Sequence, residues 1–220
     1  MNMIATLDGQ PFHQPLGKVV CIGRNYAAHA AELNNPVPSE PLLFIKPATS
    51  VVDFSSAPLR LPQGEGDVHY EAEMALLIGE SLSHVTPSEA LTGIAGVGMA
   101  LDLTLRARQS KLKEKGHPWE IAKGWDGACP LTGFIAADRV EAWDDVNFSL
   151  SINGQLRQQG HTAQMLTPVE HLLAYASQWF TLMPGDVVLT GTPEGVGTLH
   201  TGDQLQLTLE DWLSETGLVG

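Results

Sequence analysis

Alternation of apolar and polar positions along the chain marks more strands than helices. The segment "VHYEAEMALLIG", residues 68–79, reads with a period of two: His69, Glu71 and Glu73 take one face, and Tyr70, Ala72, Met74 and Leu76 take the other. Apolar runs predict strands at "KVVCIG" (18–23), "PLLFIKP" (41–47) and "DVVLTG" (186–191), and an alternating one at "DQLQLTLE" (203–210). "SLSINGQLRQQ" (149–159) predicts two strands joined by Asn153-Gly154 in a type I′ turn. "IAGVGMALDLTL" (94–105) is apolar with small residues, so it lies inside, and "APLRLPQGEGD" (57–67) is a loop or an edge ribbon.

Helical signals are fewer. "RNYAAHAAELNNPVP" (24–38) has an alanine-rich centre stopped by Asn-Asn-Pro, which predicts a helix of only two turns. Thr86, Pro87 and Glu89 open a second, and "RARQSKLKEKG" (106–116) is a polar helix closed by Gly116. "TPVEHLLAYASQWF" (167–180) offers Thr167 as N-cap, Pro168 as first helical residue and Glu170 as the partner that completes a capping box. The pattern predicts an α+β protein with a mixed, mostly antiparallel β core and a few peripheral helices. A loose N-terminal extension (1–16) precedes one domain (17–220).

Length and charge narrow the partners. With 220 residues, 43% of them hydrophobic, the chain can build one well-packed core. A net charge of -13 argues against nucleic acid and anionic membrane surfaces, leaving small molecules, metals and other protein chains. No basic leader with an apolar core opens the chain and no apolar run is long enough to span a bilayer, which predicts a cytoplasmic location. Cys21 and Cys129 form no metal or redox spacing and read as buried, inert thiols.

The chemistry concentrates in a few polar residues at apolar places. Glu71 and Glu73 stand on one strand face, about 6 to 7 Å apart at their roots. Asp102 interrupts a segment that otherwise reads as core. Buried, these carboxylates need water, a proton or a cation, and an oxygen-only set suits Mg²⁺, Mn²⁺ or Ca²⁺ rather than zinc. The alternative is a solvated strand face, with Asp102 capping the helix that follows. His29 and Glu32, spaced i, i+3, share a helix face and form either a carboxylate-oriented base or a solvated pair. Of twelve basic residues, six lie between Arg106 and Lys123; most read as a solvated helix face, while Arg106 and Lys123 can reach the carboxylates and bind an anion. "LTGTPEGVG" (189–197) is either a tight turn or a cradle of backbone amides for a carboxylate, with Thr192 beside it. HExxH and GxSxG are absent, which weakens the zinc-protease and serine-hydrolase readings.

Taken together, "GRNYAAHAAEL", "LFIKPATSVV", "VHYEAEMALLIG", "ALDLTLRARQ", "PWEIAKGWDGACPLTGFI", "SINGQLRQQGHTAQM" and "GDVVLTGTPEGVGTL" resemble the fumarylacetoacetate hydrolase superfamily, from about residue 17 to about residue 210. The likeness is to its small single-domain members, acylpyruvate hydrolases and oxaloacetate decarboxylases. It implies a mixed β-roll that forms homodimers. It also implies that Glu71, Glu73 and Asp102 ligate Mg²⁺ or Mn²⁺, that His29 and Glu32 activate water on a short helix serving as a lid, and that Lys123 stabilises an enolate. Arg24, Arg106, Gln109 and Thr192 match groups around the carboxylate and carbonyl oxygens of a 2-oxo acid substrate. The segment 34–41 and the loop after Lys123 vary among members and are where substrate choice resides. Because the His29–Glu32 pair is a water activator, the expected activity is cleavage of the carbon–carbon bond of acylpyruvates such as fumarylpyruvate or acetylpyruvate, through a pyruvate enolate held at the ion. Oxaloacetate decarboxylation and keto–enol or double-bond isomerisation use the same enolate and are the alternatives. A non-catalytic, metal-stabilised protein is the alternative of another class.

Overall fold

The computed structural model describes residues 4–220. In chain order the first elements are β1 (Ile4–Leu7), β2 (Gln10–Pro15), β3 (Val19–Gly23), α1 (Ala27–Glu32), β4 (Leu42–Lys46) and β5 (Val51–Asp53). They are followed by β6 (Val68–Tyr70), β7 (Ala72–Ile78), α2 (Pro87–Ala90), β8 (Ile94–Leu101), β9 (Thr104–Leu105), α3 (Arg106–Glu114) and α4 (Glu120–Lys123). The last part holds β10 (Cys129–Ala136), β11 (Asn147–Ile152), β12 (Gln155–His161), α5 (Val169–Trp179), β13 (Val187–Leu189), β14 (Gly197–Thr198), β15 (Gln204–Leu209) and β16 (Leu213–Leu218).

Nine strands form the main sheet in the order β2-β1-β10-β8-β7-β13-β3-β4, with β5 also paired to β10. Only β1–β10, β5–β10 and β13–β3 run parallel, so the fold is α+β with a mixed, mostly antiparallel sheet, as the apolar pattern predicts. A second sheet, β12-β11-β15-β16, is antiparallel throughout. It meets one face of the main sheet, where Met74, Leu76 and Met99 pack with Phe148, Leu150, Leu207 and the helix α5 residues Leu172 and Leu173. The opposite face buries Ala75, Leu77, Ala100, Val187 and both cysteines. Burial on both faces is why β7 reads as an unbroken apolar run once past Glu73.

Several local expectations are met. Asn153 and Gly154 have φ of +54° and +75°, the two left-handed residues a type I′ turn requires. The capping box at α2 is made, with the Thr86 N–H donating to Glu89 Oε2 at 2.8 Å. Helix α3 ends before Gly116, and α1 is the short helix the Asn-Asn-Pro stop dictates.

Three expectations need correction. The stretch 68–78 is not one strand: it breaks at Glu71, with β6 in a separate three-stranded sheet between β14 and β9, and β7 in the main sheet. The capping box expected at Thr167 is not made; α5 starts at Val169, and the Asn25 side chain takes the Thr167 backbone instead, accepting its N–H at 2.9 Å and donating to its carbonyl at 3.1 Å. The N-terminal stretch is, in residues 4–15, a hairpin whose β1 pairs with β10 and whose turn uses Asp8 and Gly9 at positive φ.

Candidate active site

The site forms where the main sheet hands its strands to the small one. At the break, the Glu71 carbonyl accepts the Asp102 N–H at 2.8 Å, so the chain leaves β7 and β8 at the same level and sets the two acidic side chains side by side. Gln158 on β12 stitches the gap. Its Oε1 accepts the Ala72 N–H at 2.9 Å, and its Nε2 donates to Thr192 Oγ1 at 2.8 Å and the Pro193 carbonyl at 3.0 Å. Glu73, one pleat from Glu71, lies against the Gly191 turn and accepts that residue's N–H at 2.7 Å. Gly191 has φ +100°, and a Cβ there would fall 2.7 Å from the Asn25 Cβ, so only glycine lets the turn close over Glu73.

Glu71, Glu73 and Asp102 are all buried, and each offers a carboxylate oxygen to a group whose members lie within 4.8 Å of one another. Their surroundings divide them. Burial alone would raise the Glu71 carboxyl, but the Lys123 ammonium and the Arg106 guanidinium override it and hold Glu71 well below the usual range. Lys123 Nζ stands 2.9 Å from Glu71 Oε2 and 2.6 Å from Asp102 Oδ2, and Arg106 pairs with Glu71 Oε1. Burial works against the Lys123 charge, yet Asp102 and Glu71 push its pKa up, so it stays protonated. Glu73 is pushed well above the carboxylate range by burial and by the Asp102 and Glu71 charges, and among the described residues no basic group lies within ion-pair distance of it.

Asp102 adds a second mismatch. Lys46, a lysine with 0% exposure at the end of β4, places Nζ 2.8 Å from Asp102 Oδ1. Its hydrogens, however, go to the carbonyls of Leu103 (3.3 Å), Ala128 (2.9 Å) and Lys123. Asp102 Oδ1 is left buried without a hydrogen bond. Asp102 Oδ1, ion-paired with Lys46 but accepting no hydrogen bond, beside a glutamate with no cation, belongs to a donor set that fits a hard divalent ion such as Mg²⁺ or Mn²⁺. Glu71, Glu73 and Asp102 could hold it.

The same cavity, of about 40 Å³, is lined by most of the residues singled out in the sequence: Arg24, His29, Glu71, Glu73 and Asp102 on one part, Arg106, Gln109, Lys123 and Thr192 on the rest. His29 is buried on α1, and burial followed by the Arg106 charge lowers its pKa, with Glu71 and Glu32 opposing. Its Nδ1 lies 3.6 Å from Glu32 Oε2, close enough for charge to act but outside hydrogen-bond reach. Glu32 does not line the cavity; both its oxygens face the Gly195 N–H at 3.1 and 3.2 Å. The glycine-rich loop thus does cradle carboxylates, namely those of Glu73 and Glu32. Thr192 Oγ1 donates to the Ala72 carbonyl at 2.9 Å and accepts from Gln158, so its hydroxyl is already engaged. Gln109 Oε1 accepts from Arg106 at 2.8 Å.

Sequence reasoning missed Lys46, Gln158 and Lys113. Lys46 had a signal, a lone cation ending the apolar run "LLFIK"; Gln158 sits unmarked in a polar hairpin strand. Lys113, assigned to a solvated helix face, lines the cavity.

A mixed, mostly antiparallel sheet curled around a buried cluster of carboxylates and lysines is the frame that the family resemblance implies, and the family match agrees with it. Residues 18–217 match the family model described as "Fumarylacetoacetate (FAA) hydrolase C-terminal", and the protein belongs to that family. It is 51% identical over 204 residues to an oxaloacetate tautomerase of Escherichia coli (strain K12), covering 92% of this chain and 93% of that one. It is 41% identical over 189 residues to a mitochondrial oxaloacetate decarboxylase of Dictyostelium discoideum, covering 86% and 87%. The crystal structure of fumarylpyruvate hydrolase from Pseudomonas aeruginosa in complex with Mn²⁺ and pyruvate superposes with a TM-score of 0.92 at 34% identity, covering 99% of this chain and 95% of that one. The protein is therefore an enzyme of this family, and its relatives favour keto–enol and decarboxylase chemistry over the acylpyruvate hydrolysis expected from the His29–Glu32 pair.

Proposed function

We propose that the protein interconverts the keto and enol forms of oxaloacetate, with Mg²⁺ or Mn²⁺ seated on Glu71, Glu73 and Asp102. What carries this reading is the 51% identity, over 92% of the chain, to an oxaloacetate tautomerase. The site supports it. A histidine kept neutral by burial suits proton abstraction.

A bound divalent ion supplies Lewis-acid stabilisation of charge arriving at the 2-oxo oxygen. The side chains do the rest. His29, with Nδ1 turned to Glu32, takes a proton from carbon 3 through Nε2; the C–H electron pair becomes the C2–C3 double bond and the carbonyl pair moves onto oxygen. Lys123, held protonated, donates a hydrogen bond to that oxygen, and Arg106 and Gln109 orient the adjacent carboxylate. The proton taken by His29 returns by way of solvent to the enolate oxygen, which completes the enol and restores the neutral imidazole, and no water is consumed.

Metal-stripped protein, reloaded with Mg²⁺ or Mn²⁺, tests the reading against controls containing the metal alone. Proton NMR should show faster keto–enol exchange of oxaloacetate without accumulating pyruvate. Pyruvate released from oxaloacetate would make it a decarboxylase, and pyruvate plus acetate from acetylpyruvate would restore the hydrolase. The homodimer implied by the family resemblance belongs to the same reading; sedimentation at twice the chain mass would support it, and sedimentation at the chain mass would remove it. Among the described residues no helix is long and apolar enough to cross a membrane.

A further inference from the structure

Basic side chains crowd the cavity that the carboxylates floor. Arg24, Arg106, Lys113 and Lys123, four of the twelve basic residues in a chain of net charge -13, line one small cavity. Arg106 and Lys123 are committed to Glu71 and Asp102. Arg24 and Lys113 are not: among the described residues, neither has a carboxylate within 4.0 Å. Arg24 is also held at φ +60°, a left-handed backbone that an arginine adopts only when its surroundings impose it. Lys113 reaches from α3 to the segment after α1, where its Nζ donates to a neutral acceptor, Asn35 Oδ1, at 3.0 Å. Its ammonium is disfavoured by partial burial and then by the Arg24 and Arg106 charges, so the two side chains repel where they meet. Like charges crowded at a cavity without an acidic partner are balanced when an anion enters.

We propose that Lys113, together with Arg24, forms the subsite for the second carboxylate of the substrate, and that Lys113 selects dicarboxylic over monocarboxylic 2-oxo acids. The inference rests on the 2-oxo acid reading of the floor, which fixes the first carboxylate and the 2-oxo oxygen near Glu71, Asp102 and Lys123. The far carboxylate then projects towards the mouth. On binding, Lys113 trades the Asn35 amide for a charged acceptor, a stronger hydrogen bond. Asn35 lies in the 34–41 segment, so selection of the acid and placement of that segment share one side chain.

The test uses two inert 2-hydroxy acids that differ only in the far carboxylate, malate and lactate, titrated calorimetrically into the Mg²⁺-loaded protein. Wild type should prefer malate, and Lys113→Met should cut that preference about 2- to 10-fold, the range of a charge-assisted contact partly screened by solvent. Lys113→Arg, which keeps the charge, should recover part of it. Lys113 is exposed at the mouth, so neither change removes core packing. An unchanged malate preference in Lys113→Met, or equal losses for malate and lactate, overturns the proposal. The two readings fail separately. Oxaloacetate turnover with an unchanged preference in Lys113→Met sinks the subsite and spares the proposed function; a preference abolished by Lys113→Met, in a protein that does not turn over oxaloacetate, does the reverse.

Discussion

Lys46 shows how much one side chain can hold. It is a fully buried ammonium whose donors serve three carbonyls and whose charge faces Asp102, so Lys46→Met strands four polar groups at once. Breaking a buried ion pair from one side costs about 3–5 kcal/mol, and urea unfolding should show a loss of that size for Lys46→Met. Glu73 has the opposite sign in metal-free protein. Its charge is buried beside two other carboxylates, so Glu73→Gln should melt no lower than wild type without metal, yet lose the rise in melting temperature that Mg²⁺ gives. A full Mg²⁺ response in that variant would remove Glu73 from the ligand set. His29 sets the pH behaviour. Its folded pKa lies below the ordinary 6.5, so the unfolded chain binds the extra proton first as pH falls. The contribution of His29 to stability is therefore complete above pH 6.5 and is lost on acidification through the region below it. The acid limb of kcat/KM for oxaloacetate should likewise lie below 6.5, and His29→Asn should abolish that limb and lower the rate about 10²- to 10⁴-fold.

Among the elements, the glycine-rich loop between β13 and β14 links the carboxylates to the short helix. Gly195 has φ +92° and no room for a Cβ, which would fall 2.3 Å from the Arg157 carbonyl, while its N–H serves Glu32. Gly195→Ala should displace the loop, free α1, and lower kcat while Mg²⁺ binding by calorimetry persists, because Glu71, Glu73 and Asp102 hang from β7 and β8. Elements of this size were legible where their signals are local. The alternation that puts Glu71 and Glu73 on one face, the turn at Asn153-Gly154 and the cap at Thr86 depend on residues within a few positions. The break at Glu71 was not legible, because alternation is the same whichever sheet a residue joins. It is decided by distant partners, Thr104–Leu105 and Gly197–Thr198. Thr167 likewise lost its cap role to Asn25, 142 positions away.

For the whole molecule, the proposed metal site ties ion binding to folding. Three carboxylates meet at the adjoining ends of β7 and β8, and among the described residues Glu73 has no ion-pair partner, so a bound divalent ion should stabilise the protein. Ligand at a hundred times its dissociation constant adds about 2.7 kcal/mol, which for a chain of this size is a rise of about 5–10 °C, readable by scanning calorimetry with and without chelator. No shift would mean that Lys123 and Arg106 already balance the cluster. The acidic residues of this site were legible as charges in apolar segments; the basic side was only half legible, since Lys113 and Lys46 join it through tertiary contacts that spacing does not encode. The seam between the sheets divides labour. Glu71, Glu73 and Asp102 are positioned by strand hydrogen bonds, whereas Arg24, Asn35 and Lys113 ride on connections and a helix outside the main sheet. The carboxylate seat and the proposed subsite for the far carboxylate thereby hang on different parts of the chain, while α3 carries Arg106 and Gln109 beside Lys113: a mutant library confined to Arg24, Asn35 and Lys113 can search for new acids while the three carboxylates stay fixed.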